Sequence, residues 1–135
     1  MTENKLPLSG IVVLDLTNVL SGPFATQILS DMGAEVIKVE KPGGDDSRNF
    51  GPFVKGKSSY FISLNKGKKS IVLDLKDNKE KTYFKKLLSH SDVLIDNFKP
   101  GTIEKFGFSQ KYLSKEYPRL IQAKISGFGE TGPMK

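Results

Sequence analysis

Cysteine is absent from these 135 residues, which excludes disulfides and thiolate-held metals and suits a reducing compartment. No run of apolar residues approaches the length of a membrane span. The opening MTENKLPLSG lacks the apolar middle of a secretory signal. Together these absences give the expectation of a cytoplasmic protein without a membrane partner. Histidine occurs once, as His90; its place at a helix end favours a structural or surface role, and no Ser-His-Asp set is assembled around it. Metal-ligand spacing is missing. Neither G-x-G-x-x-G nor a Walker sequence occurs, so both standard phosphate fingerprints are lacking. The net charge is +6, but the lysines are spread along the chain and no nucleic-acid motif accompanies them. The expectation is a solvated basic surface that favours anionic small ligands rather than nucleic acid.

What is present is an α/β pattern. Ile11–Leu14 is a β-branched, apolar run ending in Asp15, Thr17 and Asn18. Pro23 suits a first helical turn, where a missing N–H costs nothing. Ala25, Ile28, Leu29 and Met32 recur at helical spacing until Gly33, and Val36, Ile37 and Val39 form a second strand. A β-α-β unit this short implies parallel strands with a right-handed crossover. Further strands are predicted at 70–75 (buried), 92–96 and 120–126, with helices behind Asp77, over 102–106 and behind Ser109. Tyr60, Phe61, Ile62 and Leu64 are too short a patch to separate helix from strand. The predicted class is a Rossmann-like, mainly parallel open sheet with helices on both faces. No helix follows the last strand, so one face is expected to be short of cover, and the chain reads as a fragment.

In such a sheet, ligands bind beyond the carboxyl ends of the strands. Five loops qualify: 17–23, 41–46, 76–78, 97–101 and 127–133. The Ser21-Gly22-Pro23 turn presents backbone N–H groups and a helix dipole to an anion. Glu40 ends the second strand, where an acid meets a ribose in dinucleotide folds, and Lys41 beside it is an alternative phosphate contact. Asp15 and Asp74 are either perturbed carboxylates or braces of strand-end loops. Adjacent Asp45 and Asp46 read as solvated charge.

Four segments taken in order carry a family pattern: LSGIVVLDLTNVLSGPFATQILSDMGAEVIKVEKPGGDDSR, SSYFISLNKGKKSIVLDLK, DVLIDNFKPGTIEKFGF and PRLIQAKISGFGETGP. The chain resembles the N-terminal part of a family III coenzyme A transferase, the group that includes formyl-CoA and carnitine CoA-transferases. The resemblance implies movement of CoA from an acyl-CoA to a carboxylic acid through an aspartyl covalent intermediate. It further implies a homodimer of interlocked chains, with CoA as substrate rather than as a prosthetic group. Residues 1–135 would be the first part of the CoA-binding domain, the rest of that domain and a small domain lying outside. The nucleophilic aspartate would fall beyond Lys135, so no aspartate here takes its role and this stretch alone should be inert. The CoA-contacting positions carried over are Leu20, Ser21, Lys41, Leu73, Asp74, Leu75, Lys76, Asn97, Phe98, Lys99 and Lys105. Lys41 and Lys105 replace common arginines, keeping charge but losing the fork geometry. Asn18 and Leu20 stand where some formyl-CoA transferases have histidine and glutamine, which argues against assuming formyl or oxalate chemistry. Two other functions remain open: an α-methylacyl-CoA racemase-like isomerase, against which Ser58, Tyr60, Phe61, Asn65 and the run Asn97–Gly101 speak, and a non-catalytic CoA- or nucleotide-binding module.

Overall fold

The β-branched run that follows Gly10 pairs in parallel with the one that follows Gly33, and the helix between them fixes the crossover. In the computed structural model, which describes residues 5–129 and 131–134, β1 (Val12–Asp15) is joined by α1 (Ser21–Asp31) to β2 (Glu35–Glu40). Val12 lies opposite Glu35 and Val13 opposite Val36. Pro23 lies in the first turn of α1, where its missing N–H has no intrahelical acceptor to lose. Gly33 (φ 100°) turns the chain out of the helix in a backbone region open to glycine.

The chain continues through a 3-10 turn (Asp46–Asn49) and a small antiparallel hairpin, β3 (Phe53–Val54) with β4 (Lys57–Ser58). Next come α2 (Ser59–Asn65), β5 (Lys69–Val72), α3 (Asn78–Ser89) and β6 (Val93–Asp96). The described chain closes with α4 (Thr102–Lys105), α5 (Gln110–Glu116) and β7 (Ile121–Lys124). The five long strands form one parallel sheet in the order β5-β2-β1-β6-β7. Side chains alternate across it. Leu14, Leu16, Val39 and Leu94 pack with Phe84 and Leu88 of α3, Phe108, and Leu113 of α5. Phe84 and Phe108 meet edge to face at 4.8 Å between ring centres. Val13, Val36 and Ile95 lie on the other face, with Leu29 of α1.

Short polar side chains set the helix starts. Asp77 accepts from the amides of Lys79 and Glu80, and Ser109 from that of Tyr112. Ser58 likewise caps α2 by accepting from the Phe61 amide, so the apolar patch at 60–64 is helical.

Two local expectations change. The strand at 70–75 starts and ends earlier, at Lys69–Val72, and is an exposed edge rather than a buried strand. Val72 is 56% exposed, Ile71 is only partly buried against the core, and the fully inward residues, Leu73 and Leu75, lie beyond the strand. Ile28 in α1 and Met32 just after it are 45% and 38% exposed, while Thr26 and Gln27 are buried. For Thr26 the reason is Asp15, which β1 presents on that face and to which the Thr26 hydroxyl donates at 2.6 Å. A buried carboxylate makes the inner face of the helix polar there. The last strand is thinly covered, as expected: Ile121 is 63% exposed and Ala123 and Ile125 are only partly buried.

Candidate functional site

The sheet changes direction of growth between β1 and β6, because β2 and β5 lie on one side of β1 and β6 and β7 on the other. Loops leaving adjacent strands to opposite sides open a crevice at their carboxyl ends. Two adjacent hollows occupy it. The first, of about 440 Å³, is walled by Leu16, Val39, Leu73, Leu75, Phe98 and Phe106, with Asn18, Lys41, Asp74 and Lys76 also lining it. Apolar walls suit a flat base, and lysines suit phosphate. The second hollow is lined by Ser21, Asn97, Phe98, Lys99, Pro100, Ser126 and Gly127. Phe98 is common to both.

Nine of the eleven residues singled out from the sequence therefore converge here. Lys41, Leu73, Asp74, Leu75, Lys76 and Phe98 line the first hollow, and Ser21, Asn97, Phe98 and Lys99 the second. Leu20 and Lys105 line neither. Leu20 is 54% exposed just before α1, and Lys105 is exposed at the end of α4 beside Phe106. Of the five loops, 127–133 contributes Gly127, and its Glu130 lies outside the described residues.

The crevice walls are fixed by side-chain-to-backbone bonds. The Asn18 amide donates to Asn97 Oδ1 and Asn97 Nδ2 donates to the Asn18 carbonyl, both at 2.9 Å. Asp74 accepts from the Lys76 amide at 2.9 Å, the brace expected of a strand-end aspartate. α1 begins without a side-chain cap, so its first N–H groups are left to other acceptors.

Glu40 is not free to meet a ribose. Arg48 Nε donates to Oε2 and Nη2 to Oε1, both at 2.7 Å, while Ser70 Oγ donates to Oε1 and the Asp45 amide to Oε2. Burial alone would raise its pKa. The bonds from Arg48, Ser70 and Asp45 outweigh that and bring it down to about 2. Arg48 also stacks over Phe61, 3.8 Å from the ring centre. Lys41 is exposed and pairs with exposed Asp46 at 2.7 Å, an attachment weak enough for a ligand phosphate to replace.

Asp45 departs most from expectation. It is fully buried, paired at 2.9 Å with the equally buried Lys38. Burial acts to raise its pKa, and Ser47 and Lys38 together bring it below the usual aspartate value. A second buried pair joins Lys68 to Asp15 at 3.2 Å, and burial lowers the Lys68 pKa despite the attraction of Asp15. Lys68 also donates to the Pro23 carbonyl, Thr26 Oγ1 and Asn65 Oδ1. The sequence carried one overlooked signal for these pairs. Lys38 sits inside the strand run EVIKVE, and a lysine there needs a buried counter-charge.

Among the described residues no group of histidine, aspartate or glutamate is arranged to hold a metal, and no helix is long and apolar enough to cross a membrane. His90 is exposed on the surface, with Nδ1 2.8 Å from the Lys86 carbonyl.

Residues 8–135 match the sequence profile of CoA-transferase family III. The chain is 51% identical over 131 residues to the acetyl-CoA:oxalate CoA-transferase of Acetobacter aceti, an alignment covering 96% of this chain and 34% of that protein. It is 48% identical over 134 residues to the succinyl-CoA:glutarate CoA-transferase of Mus musculus, covering 98% of this chain and 31% of the relative. Among solved structures, a CAIB/BAIF family protein from Brucella suis superposes with a TM-score of 0.90 at 42% identity, over 96% of this chain and 35% of that one. The chain thus spans about one third of the length of the relatives it matches. By the match over nearly all of its residues, it belongs to CoA-transferase family III.

Proposed function

We propose that the protein transfers coenzyme A from an acyl-CoA thioester to a carboxylic acid, and that these residues supply the nucleotide half of the CoA site. On this reading residues 1–135 are the N-terminal part of a Rossmann-like CoA-binding domain. The single supporting observation is the convergence of Lys41, Leu73–Lys76 and Asn97–Lys99 at the β1–β6 crevice. The apolar walls receive the adenine, and Lys41, Lys76 and Lys99 sit at its margins to meet phosphates. A thioester carries its reactive carbonyl at the far end of the pantetheine arm, so a site that grips the nucleotide end orients the acyl group without touching it.

The chemistry then belongs to an aspartate beyond Lys135. Its carboxylate attacks the thioester carbonyl, giving a mixed anhydride and CoA thiolate. The thiolate attacks the aspartyl carbonyl and expels the donor acid, leaving an aspartyl thioester. The acceptor carboxylate attacks that thioester, giving a second mixed anhydride and CoA thiolate, and the thiolate attacks the acceptor's carbonyl of the anhydride, forming the new acyl-CoA and expelling the free aspartate. The chain's own part is to bind and orient CoA, and by itself it is inactive. The wider reading is a cytoplasmic homodimer that takes CoA as substrate and acts on short acyl-CoA donors and carboxylate acceptors of the kind named for the relatives. The test is acyl exchange between succinyl-CoA or acetyl-CoA and a panel of dicarboxylates, using a polypeptide of the relatives' length that carries this sequence. Formation of the acceptor's CoA thioester supports the reading, as does its loss when hydroxylamine captures the activated aspartate in the presence of donor. Exchange of an α-proton without CoA transfer would assign it to the racemase chemistry instead.

A further inference from the structure

Three consecutive residues before α1 are each tied down through their backbone by a different partner. Lys38 Nζ donates to the Thr17 carbonyl at 2.6 Å. Asn97 takes both the amide and the carbonyl of Asn18. The Asp45 carboxylate accepts from the Val19 amide at 3.3 and 3.4 Å to its two oxygens. Lys38 and Asp45 are themselves one ion pair, with side chains 1% and 0% exposed. The cation of the pair therefore holds the carbonyl at one end of the Thr17–Val19 segment and the anion holds the amide at the other. Val19 sits at φ 68°, a left-handed conformation that β-branched residues rarely adopt, and strain of this kind persists only where surrounding bonds impose it. Leu20 and Ser21 follow immediately, and Ser21 lines the crevice.

We propose that Lys38 and Asp45 are positioning residues that clamp the β1–α1 loop, holding Val19 left-handed so that Ser21 and the uncapped start of α1 face the CoA site. The proposal rests on the CoA-binding reading above. Neither residue lines the crevice, so both act on ligand indirectly, through Thr17 and Val19. Asp45 has a second task in the same place, since it accepts from the Ser47 amide at 2.9 Å and starts the turn that brings Arg48 to Glu40.

The test compares CoA affinity by calorimetry with folding by circular dichroism. In K38M/D45N both charges and the donor to the Thr17 carbonyl are removed, and Asn Oδ1 keeps the Ser47 cap while leaving Val19 one neutral acceptor in place of a carboxylate; replacing a buried pair as a unit spares the fold better than breaking it. With the Thr17 hold gone and the Val19 hold weakened, CoA affinity is expected to fall roughly tenfold or more in a folded protein. Adding V19G should restore part of that loss, because glycine adopts a positive φ without being forced; a purely structural role for the pair gives no such rescue. V19P, locked at negative φ and without the amide, tests the same loop while leaving the buried charges intact and should also lose affinity. Folded K38M/D45N that binds CoA as the wild type does would overturn the clamp, as would folded V19P with undiminished affinity. Failure of the wild-type chain to bind CoA would instead overturn the CoA reading.

Discussion

Asn18 and Asn97 grip one another across the β1–β6 crevice, each backbone group of Asn18 meeting one end of the Asn97 amide at 2.9 Å. The two residues are 79 positions apart, so a single side chain ties the loop after β1 to the turn after β6. Asn97→Ala leaves both backbone groups of Asn18 without these partners. A loss of about 2 kcal/mol in unfolding free energy is expected, with weakened CoA binding because both walls shift. Chemical denaturation measures the first, and wild-type stability in N97A would show that water satisfies Asn18 equally well.

The Glu40–Arg48 bond gives the fold an acid-sensitive component. The Glu40 pKa is about 2 in the folded chain against 4.5 for the free side chain, so its contribution is complete above about 4.5 and is lost as pH falls toward 2. A gap of that size corresponds to about 3 kcal/mol. In denaturant melts from pH 7 down to pH 2.5, the wild type should lose stability more steeply below pH 4.5 than Glu40→Gln does. Parallel curves for the two proteins would remove Glu40 as the cause.

Gly22 is required by close approach rather than by backbone angle. A Cβ placed on it would overlap the Thr17 side chain, and Thr17 is fully buried and bonded to Asp15. Gly22→Ala should cost about 1–3 kcal/mol and displace the β1–α1 loop. Amide spectra would show shifts concentrated at residues 17–21; a spectrum unchanged there would mean the loop yields freely.

Among the described residues the Lys41 ammonium is held only by Asp46, with both side chains more than half exposed. Asp46→Ala should therefore leave the fold intact and raise CoA affinity modestly, by about twofold to fivefold, since the lysine no longer has to leave a partner. Reduced affinity in D46A would show that Asp46 orients Lys41 rather than competes for it.

Much of this arrangement was legible in the chain itself. The β-branched runs after Gly10 and Gly33, the turn DNFKPG and the caps Asp77 and Ser109 are local signals, and local signals determine strands, helix starts and strand-end loops. The buried charges were not legible in the same way. Asp45 looks solvated because its neighbours are Gly43, Gly44 and Asp46, while its partner Lys38 lies on another element and is brought to it by tertiary structure. The exposed character of Lys69–Val72 was hidden for a similar reason: an apolar run does not reveal whether its strand is central or at an edge. The inward place of Thr26 depends on Asp15, a residue eleven positions away whose direction the helical period cannot disclose.

The central claim is that the crevice holds the nucleotide end of CoA, and a calorimetric titration of CoA into the full chain addresses it most directly, with Lys41→Ala and Lys99→Ala alongside. Saturable binding is expected in the wild type, weakened about tenfold by loss of a charged phosphate contact in K41A or K99A. The absence of saturable binding in the folded wild type, or affinity unchanged in both variants, would contradict it.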